Sequence, residues 1–93
     1  MKNPTIIAVN GGFYLFGNLL KDAPDGFICM SEVAMFGGFN GGKGMPGVAR
    51  GDTAMKVTLD RFEPSSVCLW PIRSVDGIYP SVDLYKFSGT VLR

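Results

Sequence analysis

The chain has 93 residues, 46% hydrophobic and 18% charged, with nine cations against eight acids for a formal net charge of +1. That length builds one layered core, so residues 1–93 read as a single domain, and the near-zero charge supplies no field to draw in RNA, DNA or an anionic membrane. The absence of histidine removes the commonest general base and metal ligand, and no cofactor or metal is expected.

The composition is apolar for so short a chain, which predicts that part of its apolar surface is buried between subunits of a homo-oligomer. Cys29 and Cys68 lie in separate apolar segments without Cys-x-x-Cys spacing and read as small buried hydrophobes. The apolar run from Thr5 to Leu20 is interrupted by Asn10, Gly11, Gly12, Gly17 and Asn18, too often for a membrane span. A cytoplasmic chain is therefore expected.

In chain order, Thr5 to Val9 is short and β-branched, and predicts a first strand. Asn10-Gly11-Gly12 is a turn signal, because Asn and Gly reach positive φ cheaply. Phe13 to Leu20 predicts a second strand that is apolar on both faces, with Phe13, Leu15 and Leu19 on one and Tyr14, Phe16 and Leu20 on the other. Such a strand must be covered twice, by its own barrel and by a neighbour or subunit. Gly17 marks a bend or bulge. Ala23-Pro24-Asp25-Gly26 predicts a type I turn, followed by a strand over Phe27 to Met30. Ser31 to Phe36 is either its continuation or one helical turn.

Gly37 to Gly51 follows, and seven of its fifteen residues are glycine. Beyond it, Met55 to Leu59 alternates with Met55, Val57 and Leu59 inward. Glu63-Pro64-Ser65-Ser66 predicts a turn. Further strands are expected over Val67 to Ile72, with Pro71 marking an edge or bulge, Val75 to Tyr79, and Val82 to Phe87. Short strands with closely spaced turns predict an all-β fold. At this length that is a small, strongly bent barrel of the SH3-like or Sm-like kind, with five to seven short strands and one long glycine-rich loop over 37–51.

A resemblance rests on Ile7-Ala8-Val9-Asn10-Gly11-Gly12-Phe13, Phe16-Gly17, Ser31-Glu32-Val33-Ala34, the Gly-Lys-Gly of 42–44, Thr58-Leu59-Asp60 and Pro71-Ile72-Arg73. Over Ile7 to Val75 the chain resembles short tailed-phage proteins with an Sm-like or SH3-like look. The resemblance implies a phage-encoded accessory protein acting in a bacterial cytoplasm, and it implies no chemistry.

The glycine stretch is either a solvated, entropic loop or a clamp that orders on a partner. Gly42 to Gly47 spells G-x-G-x-x-G, but Pro46 and the surrounding glycines are expected to prevent the helix that the dinucleotide fingerprint needs. Gly37 to Gly44 nearly matches a phosphate loop, with Gly44 where the magnesium-binding hydroxyl belongs. Arg50-Gly51-Asp52 reads as a chance match to the adhesion tripeptide. The scattered acids form no dyad or cage, and the serines lack a histidine, so the chain is read as a non-enzyme.

What remains is binding. Glycine amides can form an anion-binding nest, with charge-assisted contacts from Lys43 and Arg50. Phe39 can stack a base and Asn40 bond its edge, and Arg73, three residues after Trp70, is a fifth candidate. The leading expectation is a non-catalytic protein that sequesters a small anionic ligand, a nucleotide immune signal being its concrete form. The alternative is a protein–protein module, either an inhibitor of a host defence complex or a minor virion component.

Overall fold

A computed structural model describes residues 1–63 and 66–93. The turn expected at Glu63-Pro64-Ser65-Ser66 falls on Pro64 and Ser65, outside the described residues. Seven strands form one sheet: β1 (Pro4–Val9), β2 (Phe13–Leu20), β3 (Phe27–Asn40), β4 (Lys56–Arg61), β5 (Val67–Pro71), β6 (Val75–Pro80) and β7 (Thr90–Leu92). A six-residue helix, α1 (Gly44–Ala49), joins β3 to β4, and a 3-10 turn over Ile72–Ser74 joins β5 to β6.

The pairing order is β6-β1-β2-β3-β4-β7, with β5 added to β3 off this path. All ladders are antiparallel except β4–β7. The all-β expectation holds, but the sheet does not close into a barrel: β6 and β7 stand at opposite ends of the pairing path.

The curvature comes from β3, a fourteen-residue strand rather than a short one. Its first half pairs with β5 through Phe27 to Ser31, and its second half pairs with β4 through Ala34 to Asn40. Between them Glu32 takes φ 53, the left-handed region that a side chain enters only at a cost. The facing strand shifts register between Phe16 and Asn18. Gly17 sits in that shift, and a Cβ there would lie 2.9 Å from the Ser31 carbonyl oxygen. The bend predicted at Gly17 is therefore matched by one in its neighbour.

Both faces of β1 and β2 are apolar, and both are covered. On one face Ile7, Val9, Leu15, Ile28, Met30 and Val33 form a core inside the curl, with Trp70 and Cys68 of β5 packed against it. On the other face Ile6, Phe16 and Ala34 pack with Met45, Val48 and Ala49 of α1, Met55, Val57 and Leu59 at β4, and Leu84. The second cover, expected from a neighbour or subunit, is thus supplied within the chain by α1 and the C-terminal segment.

That segment departs from its sequence reading. Residues 82–87 form no strand; Leu84 is fully buried, and the Tyr85 ring meets Phe16 edge-on at 5.1 Å. The Tyr85 hydroxyl donates to the Glu32 carbonyl, tying the tail to the bend in β3. Burial, above all, pushes the Tyr85 phenol up to about 12. The Pro24–Phe27 turn also differs: Phe27 N–H bonds the Pro24 carbonyl at 3.1 Å, and Gly26 takes φ 81, the signature of type II rather than type I. Among the described residues, no helix is long and apolar enough to cross a membrane.

Two expectations follow. Leu84→Ala should destabilise the fold by about 2–5 kcal/mol, the cost of a cavity in a packed core, read as a lower denaturant midpoint. Gly41 takes φ 130, and a Cβ there would lie 2.3 Å from the Ala54 carbonyl oxygen, whereas Gly42, at φ 80, has nothing within 4 Å. Gly41→Ala should therefore cost clearly more stability than Gly42→Ala, which carries only the left-handed penalty of about 1–2 kcal/mol.

Candidate functional site

The glycine stretch is built rather than slack. Gly37 to Asn40 complete β3, paired with β4 as Gly38↔Thr58, Phe39↔Val57 and Asn40↔Lys56. After a turn through Gly41 and Gly42 the chain enters α1, which corrects the expectation that Pro46 and the glycines forbid a helix. Pro46 lies in the first turn, where its missing N–H has no acceptor within the helix. Met45, Val48 and Ala49 fall at i, i+3 and i+4, and all three are buried. Tertiary burial holds a segment whose local propensity is poor. Gly44 and Gly47 lie inside the helix, so G-x-G-x-x-G is not a loop between strand and helix, and Gly37 and Gly38 are strand residues, so there is no phosphate loop either.

The end of α1 explains Arg50-Gly51-Asp52. Gly51 N–H bonds the Val48 carbonyl and Asp52 N–H bonds the Gly47 carbonyl, each at 3.0 Å, and Gly51 has φ 71. This is a Schellman cap, which needs a residue tolerant of the left-handed region after the helix. The Asp52 carboxylate then accepts a bond from the Ala54 N–H at 2.9 Å and turns the chain into β4.

The five candidate residues separate. Asn40 and Lys43 are exposed at the far end of the β3–β4 hairpin. The Phe39 ring is half-buried and not free to stack a base: it meets Tyr14 at 5.8 Å and Phe36 at 6.1 Å, both edge-on, and packs against the core. A position that reads as an unclaimed loop aromatic is a strand residue opposite buried Val57. Arg50 lies 3.5 Å from Asp52 in an exposed ion pair. Arg73 is exposed in the 3-10 turn between β5 and β6, on elements that do not adjoin β4.

Asp52 is the internal anion of this region. Its pKa is lowered from 3.8, chiefly by the Ala54 N–H; burial opposes this, and the charges of Arg50 and then Lys43 add smaller lowering effects. Two of the cations expected to meet an external anion thus already act on one carboxylate of the chain.

Lys56 is a residue the sequence reading missed, taken only as the outward member of an alternating strand. It faces Asn40 across the ladder and, with Gly38, Thr58 and Val91, lines a depression of about 450 Å³. Gly38 forms an open part of its wall, since a Cβ there would meet nothing within 4 Å. Lys43 and Lys56 make no salt bridge among the described residues. A second recess of about 450 Å³ is apolar, walled by Val9, Phe13, Leu15, Met35 and Trp70. The described residues contain no cluster of His, Cys, Asp and Glu able to hold a metal ion.

Comparison with known protein families, with curated proteins and with solved structures gives no match.

The Asp52 contacts give a pH-dependent expectation. A carboxyl whose pKa is depressed on folding adds stability above its unfolded value and loses it as pH falls through the folded one. Asp52→Asn should therefore lower the denaturant midpoint at neutral pH, and the difference from the native chain should shrink as pH drops below 3.8. A difference unchanged across that range would assign the effect to the lost turn geometry alone.

Proposed function

We infer that this chain is a non-catalytic binding protein that holds a small anionic ligand of nucleotide size at the free end of the β3–β4 hairpin. The observation that carries this reading is Lys56, without a salt bridge among the described residues, beside Asn40 in a depression walled in part by glycine. Lys43, three residues after Asn40 in the chain and also without a salt bridge among the described residues, is the second candidate cation. An ammonium group serves a phosphate as a point charge with three donors, and a side-chain amide can both give and accept beside it. Since Phe39 is engaged in the core, the apolar part of the ligand would rest on Val91, which is largely exposed.

The bent β3 and the return of the chain through the 3-10 turn to pair β6 with β1 support reading the fold as an open relative of SH3-like and Sm-like barrels. With the resemblance to tailed-phage proteins, sequestration of a nucleotide signal in a bacterial cytoplasm is the concrete form of the proposal. A second reading, a module that docks on a host or virion protein, is favoured by the apolar recess at Phe13 and Trp70, which suits an inserted apolar side chain.

Thermal unfolding with mono-, cyclic and dinucleotides tests the first reading. A ligand at a hundredfold excess over Kd adds about 2.7 kcal/mol, which raises Tm by about 10 °C or more in a domain of this size. Lys56→Ala should weaken binding about tenfold, the loss of one charge-assisted contact. No Tm shift with any nucleotide, or full binding by a Lys43→Ala/Lys56→Ala double variant, would remove the proposal.

A further inference from the structure

β5 is an edge strand, paired with β3 alone among the described residues. The direction of its free main-chain groups follows from one hydrogen bond. Ile72 donates its N–H to the Gly26 carbonyl at 2.9 Å, immediately beyond the Phe27–Pro71 pair. In an antiparallel ladder successive residues alternate between facing the partner and facing away. Trp70 and Cys68 therefore turn their N–H and C=O toward β3, and Val67, Leu69 and Pro71 turn theirs outward. Pro71 agrees with this phase, because proline is tolerated where the missing N–H would point away from the sheet.

The same edge is apolar and uncharged. Val67 is 58% exposed and Leu69 50%, with Phe27, 40% exposed, across the ladder and Ile72, 53% exposed, just beyond. Val67 to Ile72 contains no charged residue. Edge strands that stay single are usually guarded by charge, proline or shortness. β7 has three residues and ends beside the Arg93–Asp60 ion pair, and β6 carries exposed Asp76 and ends on Pro80. Across β5 the only guard is Pro71, at its end.

We propose that the β5 edge is the interface of a homodimer, in which two β5 strands pair antiparallel about a two-fold axis at Leu69. Identical strands meet across a two-fold axis without repulsion only where they carry no net charge, and this edge meets that condition. Centring on Leu69 overlaps all five residues of each strand. Leu69 then exchanges two hydrogen bonds with its counterpart, and each Val67 N–H reaches the other strand's Pro71 carbonyl. The missing Pro71 N–H ends the ladder there and limits slippage. On the outer face, Val67 packs beside the opposing Pro71 and the two Leu69 side chains meet.

Light scattering or sedimentation of the full chain, well above micromolar concentration, should give twice the chain mass of 10.0 kDa. Leu69→Lys places a like charge on each side of the axis at an exposed position, and should halve the mass while the circular dichroism stays native and unfolding stays cooperative, with a midpoint that no longer depends on protein concentration. Ile78→Lys, at the equally exposed centre of the β6 edge, should leave the dimer intact. If Leu69→Lys fails to fold, Val67→Lys takes its place with the same readings. A native chain that is monomeric at these concentrations, or a folded Leu69→Lys that keeps the doubled mass, overturns the proposal. Nucleotide response of the monomeric variant is read separately, so failure at the edge and failure at the Asn40–Lys56 depression are told apart.

Discussion

The close approach of Gly17 to the Ser31 carbonyl is the constraint on which the rest of the structure depends. A Cβ at Gly17 would sit 2.9 Å from that oxygen and 3.4 Å from the Val33 Cα, so any larger residue would push β2 and β3 apart where both change direction. The register shift in β2 and the left-handed Glu32 in β3 are two sides of this one contact. Because β3 bends there, one continuous strand serves two partners, β5 before the bend and β4 after it. A flat strand of this length would hold both on one plane and leave its apolar faces open to water.

Two cores follow from that bend. The inner one lies within the curl, where β5 brings Trp70 and Cys68 over Leu15 and Met30. The outer one forms where the opposite face of β1 and β2 meets α1 and the segment around Leu84. The apolar content of the chain is largely spent within it, on covering a central sheet twice. Besides single exposed side chains such as Ile78, Val91 and Leu92, three places stand out: an apolar edge at β5, a recess beside Phe13, and a cationic end near Asn40. Those three places, rather than general hydrophobicity, are where contacts with other molecules are to be sought.

The glycine stretch shows how far local reading carries. Its glycines do need unusual backbone, at the Gly41–Gly42 turn and at the Gly51 cap, and that much was legible. The helix between them was not. Gly, Pro and Gly predict a break, whereas Met45, Val48 and Ala49 share a helical face that only a waiting hydrophobic surface makes worth ordering. Phe39 is the same lesson in one residue. It stands in polar surroundings in sequence, but its partners Tyr14 and Phe36 arrive from positions 25 and three residues away. Lys56 was missed for the converse reason, since an outward strand position gains meaning only from what lies opposite.

The sequence alone placed the turns at 10–12 and 24–27 and most strands, because Asn-Gly-Gly, Pro-Asp-Gly and alternating apolar residues act through neighbours along the chain. It also determined that β2 would need cover on both faces and that Gly17 would mark a bend. The tertiary structure alone decided what supplies the cover, that the glycine stretch becomes strand, helix and cap, and that the sheet stays open. Those outcomes rest on contacts between residues far apart in sequence: Leu84 on the outer core, Tyr85 at Glu32, Val82 N–H on the Ala49 carbonyl. Their energy exists only once the bent sheet is in place, so no local pattern announces them.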